Sequence, residues 1–176
     1  METTEKIIES YVRYVRRWAT IPNVTCEGQH EIDLLAIDPF THDKYHIESS
    51  ISASRGFSLL TGKHPGDHQA TARRTVAYFR ERKFDLPAIT SRLADYGFKD
   101  KGYTRVIVTW GWTEDAKRQA DDAKIDLWDF RKVVRDIAAA VRDQTGYFGD
   151  DTLRTIELYV EAGQDRGRDY DPQQVR

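Results

Sequence analysis

Gln29-His30-Glu31-Ile32-Asp33-Leu34-Leu35-Ala36-Ile37-Asp38, followed after a short polar turn by Tyr45-His46-Ile47-Glu48-Ser49-Ser50-Ile51-Ser52, puts acids inside two otherwise apolar, alternating segments. The first segment alternates Glu31, Asp33 and Leu35 against Ile32, Leu34 and Ala36, and the second alternates His46, Glu48 and Ser50 against Ile47, Ser49 and Ile51. That period of two is the signature of strands. Pro39-Phe40-Thr41-His42-Asp43-Lys44 is rich in turn formers, which predicts an antiparallel hairpin. With Asp33 opposite Glu48 or Ser50, those three side chains project to one side together with Glu31 and His46. Like charges facing across a ladder are destabilising, and a buried carboxylate without a partner is costly. A cation between the acids removes both penalties. Mg²⁺ suits the place, because it accepts one or two carboxylates and otherwise keeps water and phosphate oxygens. The bland alternative, acids pointing to solvent from a one-sided sheet, is disfavoured by the Asp in a strand interior.

An acid on one strand followed by Glu-x-Lys on the next resembles the core motif of the PD-(D/E)XK superfamily of restriction-endonuclease-like nucleases, here Asp33 and then Glu48-Ser49-Ser50. The resemblance implies an α/β fold with a restriction-endonuclease-like core, a central mixed β-sheet flanked by helices. It also implies that Asp33 and Glu48 hold Mg²⁺ or Mn²⁺, that the Ser49 carbonyl assists, and that position 50 carries a lysine orienting the attacking water. Ser50 stands there instead. It can hold a water but brings no charge, and a preorganised cation of this kind is worth roughly 10²–10³-fold in rate. A substitute is expected from another element. Lys44 lies four residues from Glu48, roughly 13 Å along a strand, which is too far. Lys63, Arg73 and Arg74 follow in the next loop and helix and are the candidates for charge balance and nucleic-acid contact.

A second stretch resembles the C-terminal half of Mrr-type domains of the same superfamily. Tyr103 to Trp110 reads as a buried strand, and Thr113 as the N-cap of a helix with Ala116 and Ala120 at close-packing spacing. Ile125-Asp126-Leu127-Trp128-Asp129 is a short strand leading into a helix marked by Phe130, Val133, Val134, Ile137, Ala138 and Val141. The two matching regions span residues 24–52 and 103–142.

Composition sets the outer limits. A chain of 176 residues with 39% hydrophobic content, four Trp, nine Tyr and seven Phe has material for one full core. The expectation is a single domain over residues 1–163 and a flexible tail over 164–176, where apolar residues almost vanish. A net charge of −2 excludes a uniformly basic nucleic-acid coat, so phosphate contacts must come from local clusters. The lone Cys26 forms no internal disulfide, no apolar run reaches membrane length and the N-terminus is not signal-like, which together predict a cytoplasmic protein with no membrane partner.

Elsewhere, Ile7, Ile8, Tyr11, Val12, Val15, Trp18 and Ala19 recur at helical spacing, with Pro22 as the stop and Val24-Thr25-Cys26 as an opening strand. Some relatives place a helix-1 glutamate at the active site. Glu9 lies off the apolar stripe and reads as a solvated partner of Arg13. Ser54 to Gly66 reads as a loop, and a helix is predicted from about Asp67 to Lys83 carrying Arg73, Arg74, Arg80, Arg82 and Lys83, the densest basic cluster. Leu86-Pro87 starts a helix ending at Gly97; in Thr152 to Ala162, Leu153, Ile156 and Val160 fit a helix while Ile156, Leu158 and Val160 fit a strand, and Asp150 and Asp151 as caps with Gly163 as stop favour the helix.

Three other motifs fail on chemistry. Gly56 to Gly62-Lys63-His64 has one residue too many for a phosphate loop and His where Ser or Thr must bind Mg²⁺. His64 and His68 are separated by a helix-breaking Pro65-Gly66, so with Cys26 they make no zinc site. No Gly-x-Ser-x-Gly elbow surrounds Ser50, Ser52 or Ser54. The leading expectation is a Mg²⁺-dependent nuclease cutting DNA, with Asp33, Glu48 and Ser50 as catalytic residues; two cuts on a duplex suit a homodimer. The competing expectation is a catalytically silent relative that binds nucleic acid or a protein.

Overall fold

A five-stranded mixed sheet runs through the molecule in the order β1-β2-β3-β4-β5. The computed structural model describes residues 2–51, 57, 59–62, 74–99, 102–143 and 148–164. The strands are β1 (Ala19–Thr25), β2 (Glu31–Ile37), β3 (Lys44–Ser49), β4 (Thr104–Thr109) and β5 (Ile125–Asp129). Strands β1 to β3 form an antiparallel meander, whereas β3, β4 and β5 run parallel. Helices α1 (Thr3–Ser10), α2 (Val76–Phe79), α3 (Pro87–Asp95), α4 (Glu114–Asp122), α5 (Phe130–Asp143) and α6 (Asp151–Gln164) cover the sheet; α1 and α2 each continue into a π-helical turn, Tyr11–Val15 and Arg80–Phe84.

The alternation of apolar residues assigns the two faces. Leu34, Ala36, Ile47, Val106 and Val108 pack on α1, α5 and the start of α6 through Ile8, Val12, Ile137 and Leu153. On the opposite face two clusters lie side by side. Ile107 and Ile125 pack on α2 and α4 through Phe79, Phe84, Ala116 and Ala120. Ile32 and Leu35 pack on α3 through Ile89 and Leu93. His46 lies at the seam, with its ring 4.8 Å from that of Phe84 and 6.3 Å from that of Tyr103.

Several local expectations hold. The β2–β3 hairpin forms with Leu34 opposite Ile47 and Leu35 opposite His46. Thr113 caps α4, its hydroxyl accepting from the Ala116 N–H at 3.2 Å, and Asp150 caps α6 by accepting from Leu153 N–H at 3.0 Å. Gly97, at φ 77°, closes the segment after α3 in the left-handed conformation that a residue with Cβ resists.

Other expectations are corrected. The first helix ends before Trp18, because Arg17 takes φ 61° and reverses the chain, so Ala19 already belongs to β1. Pro22 therefore sits inside a strand rather than ending a helix. It is tolerated because β1 is an edge strand, where a missing N–H breaks no ladder on the open side. The helix that leads to Arg80, Arg82 and Lys83 begins at Val76: Thr75 is extended, at φ −114° and ψ 148°, and its hydroxyl caps α2 by accepting from Tyr78 N–H, while the stretch 67–73, where the basic helix is expected to begin, lies outside the described residues. Helix α6 runs through Gly163 to Gln164. Lys63, His64, His68 and Arg73, most of the Ser54–Gly66 loop and the 165–176 tail lie outside the described residues.

Candidate active site

The hairpin register, continued by one residue beyond Leu34 and Ile47, sets Asp33 opposite Glu48. There the ladder opens. On the other side of β2 the pairing also skips Asp33, passing from Pro22–Leu34 to Val24–Ile32 around Asn23, whose φ is 51°. Freed from regular pairing, Asp33 turns its carboxylate to the end of β3, where Oδ2 accepts the Ser49 N–H at 2.8 Å. The splay of two strands thus brings one acid against the backbone that follows the other.

Glu48 is fully buried, whereas the Asp33 side chain keeps 13% of its exposure and the Lys83 side chain 24%. The cluster therefore opens to solvent on the Asp33 and Lys83 side. Lys83, from the π-helical turn after α2, reaches in from above the sheet. Its Nζ lies 3.0 Å from Asp33 Oδ1 and 2.7 Å from Glu48 Oε2, and it donates to the Glu31 carbonyl at 3.1 Å. One ammonium bridges both acids. At Glu48 Oε2 the contact is that of charges rather than an aligned hydrogen bond, so this buried oxygen has no hydrogen-bond partner among the described residues. The other oxygen, Oε1, lies 2.7 Å from His46 Nε2, and His46 is also fully buried.

Burial dominates the electrostatics. It pushes Glu48 up to about 7, with the Lys83 charge pulling the other way. Asp33 rises to about 6 for the same reason and because Glu48 is near, while Lys83 and the Ser49 N–H restrain it. Burial alone would lower the Lys83 ammonium, but the two carboxylates outweigh it and hold it above its ordinary range. Burial also pulls His46 down to about 3, so the His46–Glu48 contact is a hydrogen bond of a neutral imidazole rather than an ion pair. Two ionised acids and one ammonium leave a residual negative charge. Glu5 on α1 adds to it: burial raises its pKa, and the Asp33 charge raises it further.

A divalent cation fits this donor set. Asp33 Oδ1 and Glu48 Oε2 would be its oxygen ligands; both now face the Lys83 ammonium, and the burial that raises both carboxyl pKa values is a penalty that a further cation would offset. Among the described residues no group of three or more His, Cys, Asp or Glu side chains forms a complete cage.

Of the residues singled out from sequence, Asp33 and Glu48 converge. Ser50 follows β3 and donates its backbone N–H to the Val108 carbonyl at 2.9 Å. Arg74 accepts the Thr61 N–H on its carbonyl at 2.9 Å. Glu9 accepts from the Thr20 hydroxyl at 3.3 Å, and the helix-1 acid near the site is Glu5. Lys83 and His46 are the residues that sequence reasoning left out of the site. Lys83 was visible as the last member of the basic cluster, and His46 as a polar residue sharing the parity of Glu48. Beside Lys83 opens a cleft of ≈ 480 Å³ lined by Gln29, His30, Glu31, Tyr78, Arg82 and Lys83.

No protein-family model matches the chain, and no curated protein matches it. Among solved structures it is similar to the crystal structure of AF1548, a protein of unknown function, at 14% identity and a TM-score of 0.50, covering 92% of this chain and 97% of that one. That likeness concerns the fold alone. Among the described residues no helix is long and apolar enough to cross a membrane.

Proposed function

We propose that this chain is a metal-dependent nuclease that hydrolyses DNA phosphodiester bonds, built on the restriction-endonuclease-like PD-(D/E)XK plan. The observation that carries the reading is the Lys83 ammonium, 3.0 Å from Asp33 and 2.7 Å from Glu48. The motif lacks its lysine at position 50, and a lysine from a different element stands at the same pair of acids. Such a relocation preserves what the chemistry needs, a fixed positive charge beside the reacting phosphate.

Held by Asp33 and Glu48, Mg²⁺ or Mn²⁺ would supply Lewis acidity toward the scissile phosphate and lower the pKa of water. The chain's own residues do the rest. The Ser49 N–H fixes Asp33 through Oδ2, so the direction of Oδ1, which faces Lys83, is set before substrate arrives. Lys83 carries three N–H donors and remains charged, because its pKa is raised. It can turn from the carboxylates to a phosphate oxygen or to the attacking water without leaving the site. The cleft beside it, with Arg82 and Tyr78 on its wall, gives a DNA backbone a cationic approach. Ser50, two residues after Glu48, would offer a hydroxyl for water if its side chain shares the Glu48 face of the strand.

A second reading rests on the same contact seen differently. Lys83 already neutralises much of the acid pair, so the cluster is stable as a structural ion network in a silent nucleic-acid-binding or protein-binding domain. A plasmid-nicking assay with Mg²⁺ or Mn²⁺ separates the two. The nuclease reading expects nicking that is lost in Asp33→Ala and in Lys83→Met. Nicking that survives Asp33→Ala, or a wild-type chain that neither nicks DNA nor binds Mn²⁺, refutes it.

A further inference from the structure

The fully buried His46 has no place in the motif, and its geometry gives it one. Its Nε2 lies 2.7 Å from Glu48 Oε1, and its Nδ1 has no hydrogen-bond partner among the described residues. With the proton on Nε2, the imidazole donates to the carboxylate and leaves a bare lone pair at Nδ1. The other tautomer would bury an unpaired N–H and set a lone pair against a carboxylate oxygen, so it is the costlier one. The ring packs nearly perpendicular to that of Phe84, at 4.8 Å between centroids and 78° between planes. Phe84 directly follows Lys83. One imidazole therefore touches both the strand acid and the turn that presents the lysine.

We propose that His46 is a positioning residue: by holding Glu48 Oε1 it aims Oε2 at the place shared by Lys83 and a divalent cation. This rests on the nuclease reading insofar as Asp33 and Glu48 are metal ligands. A buried carboxylate with a single anchored oxygen has one free torsion fewer, and ligand orientation by such outer partners is typically worth about 10–100-fold in metal affinity. Apolar packing alone would not require a donor at this point of the ring.

The test is Mn²⁺ affinity of the whole chain, measured by electron paramagnetic resonance and calorimetry, with no substrate present. His46→Leu fills the space without a donor and is expected to weaken Mn²⁺ binding at least about tenfold. His46→Gln carries an N–H near the position of Nε2 and is expected to stay within about threefold of wild type. His46→Asn, whose shorter amide falls short of Oε1, should behave like His46→Leu, and it keeps the comparison available should the leucine variant fail to fold. In a Glu48→Gln background, replacing His46 should change Mn²⁺ affinity no further. Equal affinity for the donor and donor-less variants, or an equal loss in the Glu48→Gln background, overturns the positioning role while leaving the nuclease reading intact. Mn²⁺ binding that is indifferent to Asp33→Ala overturns both.

Discussion

Glu48 on β3 and Ile107 on β4 are register partners in adjacent parallel strands, and both are completely buried. Ile107 is surrounded by apolar side chains from α2 and α4, whereas Glu48 is surrounded by His46, Lys83 and the neighbourhood of Asp33. Equal burial thus serves opposite ends. At Ile107 it stabilises the sheet through area removed from water, about 1.5–3 kcal/mol for such a side chain. At Glu48 it is unfavourable, and the raised pKa of about 7 reports that penalty. At Glu48 the penalty is offset by the Lys83 ammonium, 2.7 Å from Oε2, and by the His46 ring nitrogen, 2.7 Å from Oε1.

The comparison can be broken by exchanging what each strand contributes. The largest effect is expected at the lysine: Lys83→Met should lower the metal-dependent nicking rate about 10²–10³-fold, and Ser50→Lys in that background should return part of it, because the cation then stands where the motif has it. Single-turnover rates on supercoiled DNA measure both. No recovery with Ser50→Lys would mean that position 50 does not face the acids.

Next comes the stability contrast. Ile107→Ala should cost about 2–5 kcal/mol in urea denaturation and leave Mn²⁺ affinity unchanged, since it removes only packing. Glu48→Gln should cost less than about 1 kcal/mol at pH 8 while weakening Mn²⁺ binding at least about tenfold to a level still measurable, because the lost ion pair is offset by relief of a buried charge. Similar losses of stability for the two would remove the distinction between the strands.

A smaller effect follows from pH. The folded chain holds the Glu48 proton to about 7, above the ordinary 4.5, and that of Asp33 to about 6, above 3.8. Between those values the folded state binds more protons than the unfolded one, so stability declines as pH rises from about 4.5 to about 7 and levels off above. His46, held down to about 3 from 6.5, acts in the opposite sense over its own window, with stability gained as pH rises. The difference between wild type and Glu48→Gln isolates the carboxylate. That difference should shrink on adding Mg²⁺, and a flat difference without metal would contradict the burial penalty. The smallest change is expected far from the acids: Thr113→Ala removes the α4 cap and should lower stability by about 1 kcal/mol, with metal affinity untouched.

Much of this arrangement was legible locally. Alternation in Glu31–Ile37 and Tyr45–Ser49 defines which side chains share a face, and the turn between them limits the register to values that bring Asp33 and Glu48 together. Thr113, Ala116, Ala120 and the Ile125–Asp129 strand were equally readable, because capping and close packing act within a few residues. Trp18 and Pro22 misled for the opposite reason. Helical periodicity ran on past Arg17, where a positive φ ends the helix, and a proline suited to an edge strand looks like a breaker until the edge is known.

What the amino-acid order determined by itself was therefore the acid hairpin: side-chain parity in a strand is a property of consecutive residues. The tertiary structure decided the cation and the anchor. Lys44, Lys83 and the arginines around them are chemically similar candidates in the chain, and only the docking of α2 and its π-helical turn on the sheet selects Lys83. Likewise His46 becomes a partner of Glu48 only because Phe84 and the sheet bury both and exclude the water that would otherwise satisfy them.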